Sequence, residues 1–325
     1  MIGLVGAALA ALVPDEIVAV VTSDGWTLPI RHFSGPGAPV VLAHGLATDH
    51  NNFDQAEHVS LADSLRDSGF DVWVFSLRGD PDSTPPVGVG RRGWTFDDHV
   101  LLDVPALLNG VEGATGTDQV LWVGHSMGGM LLYAALSQHP DRIAAGVTVG
   151  STVEFDARGF LWTLGHTFRF ALSGSGRLPL GAVGGAVGRV WPDGPFTSLL
   201  AEPDAMAPAE SRALARDALV DLSKPLLRQA WTWFEVGELC RVDGTPWVTG
   251  AQVPLLVLAG VHDRIVPVAD GARVCERFSD CETVLLSKES GFSYDYGHVD
   301  PLVGRVAREE VYPRITAFLI EHTPR

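Results

Sequence analysis

Val120 to Met130 reads Val-Leu-Trp-Val-Gly-His-Ser-Met-Gly-Gly-Met, an apolar run that ends at a serine set between two glycines, Gly124-x-Ser126-x-Gly128. A helix-like stretch, Met130 to Gln138, follows at once. A serine hydroxyl is a weak nucleophile until a neighbouring base takes its proton. A strand that turns sharply into a helix thrusts the hydroxyl above the strand ends, and flanking glycines leave room for so tight a turn. The partners that Ser126 needs stand later in the chain. Asp263 follows an apolar run that ends in Gly260-Val261-His262-Asp263, which puts its carboxylate in a loop at a strand end, where open sheets bind ligands. His298 stands in Tyr294-Asp295-Tyr296-Gly297-His298-Val299-Asp300, between the last strand-like and the last helix-like segments. Nucleophile, orienting acid and base therefore come in the order that strand, elbow and helix sheets use.

Rival acids are Glu154 and Asp156, and rival bases are His125 and His262. His125 adjoins the nucleophile and is expected to point into the sheet side, while His262 adjoins the acid. An acyl-transfer centre also needs donors for a developing oxyanion. The amide after the nucleophile, Met127, and one from the loop His44-Gly45-Leu46, that of Leu46, fill that role. Such chemistry requires no metal and no organic cofactor.

These side chains must be held by a fold. With 325 residues, 46% of them hydrophobic, the chain can bury a large core. A net charge of -16 and a pI near 5.0 disfavour nucleic acid and anionic lipid surfaces as partners. Met1 to Val13 is apolar, but no Lys or Arg precedes Arg31, so it lacks the basic start of a secretory signal and is too short to span a bilayer. It is read as a segment packed on the body of a cytoplasmic protein, with export or peripheral membrane attachment as the alternative; stable membrane insertion is not expected. Three cysteines, Cys240, Cys275 and Cys281, form no metal-binding spacing and are read as thiols, with a Cys275 to Cys281 bridge as the minor alternative.

Ile17 to Thr22 and Leu28 to Phe33 flank a Ser23-Asp24-Gly25 turn and read as a hairpin. Strand patterns follow at Pro39 to Ala43, Phe70 to Phe75, Gln119 to Val123, Arg142 to Val149, Val253 to Ala259 and Glu282 to Leu286. Helical patterns fall at Gln55 to Asp67, at Phe96 to Leu108 with an interruption at Pro105, at Asp270 to Phe278 and near Arg305 to Glu321. The alternation predicts an α/β fold, a mostly parallel, doubly wound sheet. Between residues 152 and 250 no buried strand is evident; aromatics, glycines and prolines are frequent, and helices are expected at Ala213 to Leu222 and Pro225 to Val236. The expected organisation is a core of residues 1–151 and 251–325 with a helical cap, residues 152–250, inserted between them. Trp162, Phe168, Trp231 and Phe234 are the cap aromatics that would line a substrate pocket.

The set His44-Gly45-Leu46, Gly124-His125-Ser126-Met127-Gly128, Val261-His262-Asp263 and Gly297-His298-Val299-Asp300 resembles the α/β-hydrolase superfamily. Trp94-Thr95-Phe96-Asp97-Asp98 with Asp103-Val104-Pro105-Ala106 is similar to the segment before the elbow in acid-lipase-like and polyhydroxyalkanoate-synthase-like hydrolases. Those synthases carry cysteine where this chain has Ser126, which favours hydrolysis over polymer synthesis; dehalogenases and epoxide hydrolases carry aspartate there. The resemblance implies an α/β-hydrolase fold and a serine esterase or lipase. Such an enzyme would cleave small-molecule carboxylic esters with hydrophobic acyl or alcohol parts through an acyl-enzyme. Activity should fall as pH drops through the titration of a catalytic histidine, about 6 to 7. A ligand-binding sensor with little turnover and a cofactor-free perhydrolase or acyltransferase are the other readings the same residues permit. Oligomeric state is not encoded in any of these patterns.

Overall fold

The computed structural model describes residues 13–55, 59–88, 93–155, 174–179, 181, 194–217, 220–250 and 253–324. Its centre is an eight-stranded sheet. In chain order the strands are β1 (Glu16–Val21), β2 (Thr27–Phe33), β3 (Pro39–Ala43), β4 (Asp71–Phe75), β5 (Val120–His125), β6 (Ile143–Val149), β7 (Leu255–Gly260) and β8 (Cys281–Leu286). They lie side by side as β1-β2-β4-β3-β5-β6-β7-β8. The first two form the expected hairpin, with Val21 opposite Thr27. β2 runs antiparallel to β4, and every later pairing is parallel.

Strand side chains alternate between faces, so a parallel sheet covered on both sides needs apolar residues at every position. Val40 and Leu42, Val72 and Val74, Leu121 and Val123 pack into one core with Leu61 and Leu65 of α1 (Leu61–Asp67) and Ile315 and Leu319 of the terminal helix Tyr312–Glu321. Val41 and Ala43, Trp73 and Phe75, and Trp122 face the other core. There they meet Leu107 and Val111 of α2 (Val104–Thr115) and Leu131 and Ala135 of α3 (Met127–Gln138). The mostly parallel, doubly wound α/β sheet expected from the strand pattern is the fold observed.

Helix boundaries differ from the sequence reading for local reasons. α1 starts only at Leu61, because Asp54–Gln55 and Val59–Ser60 pair as a short antiparallel bridge and Ser60 then caps the helix by accepting the Asp63 amide. Pro105 does not break its helix. A π-helical turn, His99–Asp103, precedes it, so Pro105 falls in the first turn of α2, where a missing N–H costs nothing. The final segment is three helices, Asp300–Val303, Ala307–Glu310 and Tyr312–Glu321, rather than one.

Between β6 and β7 the described residues contain helices at Pro195–Leu200 and Pro208–Asp217, a two-stranded pairing of Arg177–Leu178 with Leu222–Ser223, and α4 (Lys224–Val236). The pairing of Leu222 and Ser223 corrects the helix expected to reach Leu222. Ser223 caps α4, and Gly237, with φ of 89°, closes it. This inserted segment is tied to the sheet domain at Asp97, which accepts hydrogen bonds from the Trp247 indole and the Val242 amide, each at 3.0 Å, and from Gln229. Cys275 and Cys281 are joined in a disulfide, which corrects the expectation of two thiols; Cys240 is free and buried. Such a bridge is the kind oxidising compartments sustain.

Candidate active site

β5 ends at His125, and Ser126 takes φ of 52° and ψ of -117° before α3 begins at Met127. Only two described non-glycine residues have positive φ, Ser126 and Ala47, and both lie in the loops at this end of the sheet. A side chain finds this region costly, and structures keep such strain where neighbours fix it. Those neighbours are visible. The Ser126 amide donates to the Val149 carbonyl at 2.8 Å, and the Ser126 carbonyl accepts from the amides of Gly129 and Met130 at 3.1 Å. Both flanking glycines are sterically required: a Cβ on Gly128 would lie 1.8 Å from the Ala43 oxygen, and one on Gly124 would lie 2.4 Å from the Gly128 oxygen.

Three of the sequence-predicted residues meet here. Ser126 Oγ lies 3.0 Å from His298 Nε2, and His298 Nδ1 lies 2.8 Å from Asp263 Oδ2. The other carboxylate oxygen of Asp263 accepts the amides of Ile265 and Val266, each at 2.8 Å, so the acid is locked by its own loop. A carboxylate on Nδ1 keeps the hydrogen there and leaves Nε2 free to accept the serine proton. His298 and Asp263 are both buried. The loop of His298 is pinned in turn: its amide donates to the Leu200 carbonyl at 3.1 Å, and Asp300 accepts the amides of Gly297 at 2.9 Å and Glu202 at 3.2 Å. Burial, above all, pushes the Asp300 carboxyl up to about 7; the two amide bonds oppose the rise and the nearby Asp263 charge adds to it.

Leu46 and Met127 line the same pocket as Ser126, and neither amide donates to an acceptor among the described residues. The loop that carries Leu46 lies tight against the elbow, since a Cβ on Gly45 would come within 3.1 Å of Ser126 Cβ. At its base, His44 pairs with Asp80 at 2.9 Å. Burial opposes a charge on this ring, but the Asp80 carboxylate and the Gly45 carbonyl outweigh it and raise the pKa to about 9.

The rival residues are occupied elsewhere. Glu154 pairs with Arg273 and Arg277 at 3.6 and 3.3 Å, and His262, half exposed, pairs with Glu202 at 2.9 Å. Asp156 lies outside the described residues. His125 is buried at the end of its strand, in line with a ring turned to the sheet side. It is the last residue of its strand, where polar loops replace apolar neighbours, and its ring nitrogens meet Asn52 and the His298 carbonyl.

Above Ser126 opens a pocket of about 130 Å³. Leu226, Ala230, Trp233 and Phe234 of α4 form part of its wall, positions that share one helix face. Trp231, one residue past Ala230, falls off that face and does not line the pocket; its indole donates to Glu235 at 2.7 Å, a correction to its expected place. Trp162 and Phe168 lie outside the described residues.

Residues 38–302 match the family described as alpha/beta hydrolase fold. The chain belongs to this family. Human lysosomal acid lipase/cholesteryl ester hydrolase is 34% identical to it over 143 residues, 39% of this chain and 36% of that protein. Human gastric triacylglycerol lipase is 31% identical over 142 residues, with the same shares. The chain thus aligns with less than half the length of these relatives. Among solved structures, monoacylglycerol lipase from Paleococcus ferrophilus matches with a TM-score of 0.62 at 19% identity, covering 91% of this chain and 99% of that one. An esterase from Thermogutta terrifontis matches with a TM-score of 0.61 at 20% identity, covering 95% and 100%. At such identities the likeness concerns the fold.

Sequence reasoning passed over several residues of this alpha/beta hydrolase. Phe155, Met130 and Trp233 line the pocket, and Asn52 meets the His125 ring beside Ser126. The helical spacing from Leu226 through Ala230 to Trp233 was the available signal for one of them. Asn52 carries no such signal, because only folding brings it to the elbow.

Proposed function

We propose that the chain is a serine hydrolase that cleaves carboxylic esters through an acyl-enzyme. The observation that carries this reading is the relay from Ser126 Oγ through His298 to Asp263, at 3.0 and 2.8 Å, at the floor of a largely apolar pocket. The Ser126 oxygen attacks the ester carbonyl as its proton passes to His298 Nε2, and Asp263 stabilises the imidazolium that forms. The carbonyl oxygen takes up the negative charge facing the amides of Leu46 and Met127. When the tetrahedral intermediate collapses, the C–O bond to the alcohol breaks and Nε2 returns the proton to the leaving oxygen. Water then repeats both steps on the acyl group and frees Ser126.

The segment between β6 and β7 acts as a cap over this centre. Its helix α4 supplies Leu226, Trp233 and Phe234 to the pocket, so the substrates are esters with a hydrophobic part that excludes water from the reacting carbonyl. The lipase and cholesteryl ester hydrolase names of the relatives support that choice.

A panel of nitrophenyl esters of increasing chain length, read against Ser126→Ala, tests the proposal. Turnover in the variant should fall by about 10⁵ to 10⁶-fold with the fold intact. Near-normal hydrolysis by the folded variant would overturn it, and tight ligand binding without turnover in the wild type would favour a sensor.

A further inference from the structure

His125 fills the variable position between Gly124 and Ser126, is 1% exposed, and is not used in the acyl-transfer steps above. Its Nε2 lies 3.0 Å from the main-chain oxygen of His298, and its Nδ1 lies 2.7 Å from the side-chain oxygen of Asn52. That same Asn52 oxygen is 3.2 Å from the Gly45 amide and 3.2 Å from the Thr48 hydroxyl. One buried polar chain therefore runs from the His298 loop, beside Ser126, to the loop that carries Leu46. The rings of His125 and His298 are 4.9 Å apart, and a Cβ on Gly45 would lie 3.1 Å from His125 Nδ1, so the ring is wedged between the two loops.

We propose that His125 is a positioning residue, which holds the base His298 by its main-chain carbonyl and, through Asn52, fixes the Leu46 loop relative to that base. The inference rests on the ester hydrolase reading and extends it.

The hydrogen-bonding chemistry specifies the ring. The His298 carbonyl can only accept, so Nε2 carries the hydrogen. Burial first, and the neighbouring His298 second, push the ring well below its ordinary pKa. The amide nitrogen of Asn52 is buried with no partner of its own, and the Asn52 oxygen is the atom that faces Nδ1. The Gly45 N–H donates to that same Asn52 oxygen, at 3.2 Å. The His125 ring and the Gly45 N–H thus share one Asn52 oxygen, and this sharing couples the two loops. A displacement of either catalytic loop by about 1 Å is enough to cost about a hundredfold in rate.

The test compares His125→Phe, which keeps a ring of similar size without either nitrogen, with His125→Gln, whose amide offers one donor and one acceptor. Each full-length variant is assayed on the nitrophenyl ester that the wild type turns over best. His125→Phe should lower kcat by about 10 to 100-fold with KM within about threefold, and His125→Gln should recover most of that loss. Asn52→Ala, with His125 in place, should lower kcat by about tenfold and add little to His125→Phe in the double variant. A folded His125→Phe with wild-type kcat overturns the inference, as does a His125→Gln that is no better than His125→Phe. Should His125→Phe fail to fold, an unchanged kcat in Asn52→Ala overturns it. Loss of hydrolysis in Ser126→Ala beside unaffected His125 and Asn52 variants refutes this inference alone. A wild type that neither hydrolyses esters nor reacts with a fluorophosphonate at Ser126 refutes both it and the hydrolase reading.

Discussion

Asp300 stands two residues after His298 and holds the same loop by accepting the amides of Gly297 and Glu202. Its buried carboxyl, raised from 3.8 to about 7, makes the loop sensitive to pH. An acid whose folded pKa lies above its unfolded value binds its proton more tightly when folded, so its contribution to stability is complete below 3.8 and is lost as pH rises toward about 7. Asp300→Asn removes that dependence. The stability of the variant relative to the wild type should therefore improve by about 2–3 kcal/mol between pH 5 and pH 8, read from denaturant midpoints at the two values. A difference that stays constant across that range would contradict it. The triad candidates were legible at this scale because each follows a recognisable strand end: Ser126 after Val120 to Val123, Asp263 after Leu255 to Gly260, His298 after the last strand. The partners of the His125 ring were not. A strand pattern gives alternation, but at the final residue of β5 the partners come from Asn52 and His298, 73 and 173 positions away.

Strand, elbow and helix form one element whose shape depends on contact with its neighbour β3. Gly128 lies so close to Ala43 that a methyl group there meets backbone oxygen, which cannot swing aside as a side-chain tip can. Gly128→Ala should lower stability by about 2–3 kcal/mol, seen as a shift in the urea midpoint without a change in slope, and should distort the serine turn as well. A loss below about 0.5 kcal/mol, the range of ordinary surface substitutions, would show that β3 yields freely. Strands were read within one or two residues because a sheet covered on both faces demands continuous apolar runs. Helix starts were read less well. The onset of α1 at Leu61 depends on a short bridge between Asp54–Gln55 and Val59–Ser60, and the place of Pro105 depends on a π-helical turn, neither of which leaves a mark in composition.

In the whole molecule, the segment between β6 and β7 is attached to the sheet side through Asp97, and its helix α4 lines part of the pocket. Asp97 gathers donors from Gln229, Val242 and Trp247, all from the insertion, while the Gln229 carbonyl accepts the Phe96 amide at 2.8 Å. Asp97→Ala leaves the buried Trp247 indole without its acceptor, at a cost of about 1–3 kcal/mol, while water can replace the bond at the exposed Val242. We expect the variant to lose about 1–3 kcal/mol of stability and to show faster amide hydrogen exchange along α4, with the exchange of β5 and β6 unchanged. Uniform exchange across the chain would argue that the insertion is not a separately opening unit. By itself the sequence determined the α/β class, the hairpin, the parallel strands and the elbow, because hydrophobic period and turn chemistry act over a few residues at a time. Tertiary structure alone decided that Ser126, Asp263 and His298 converge, that Cys275 meets Cys281, and that Phe234 rather than Trp231 faces the pocket. Those outcomes depend on how the sheet twists and on which helix face is buried against it, and they are settled by packing between segments far apart in the chain.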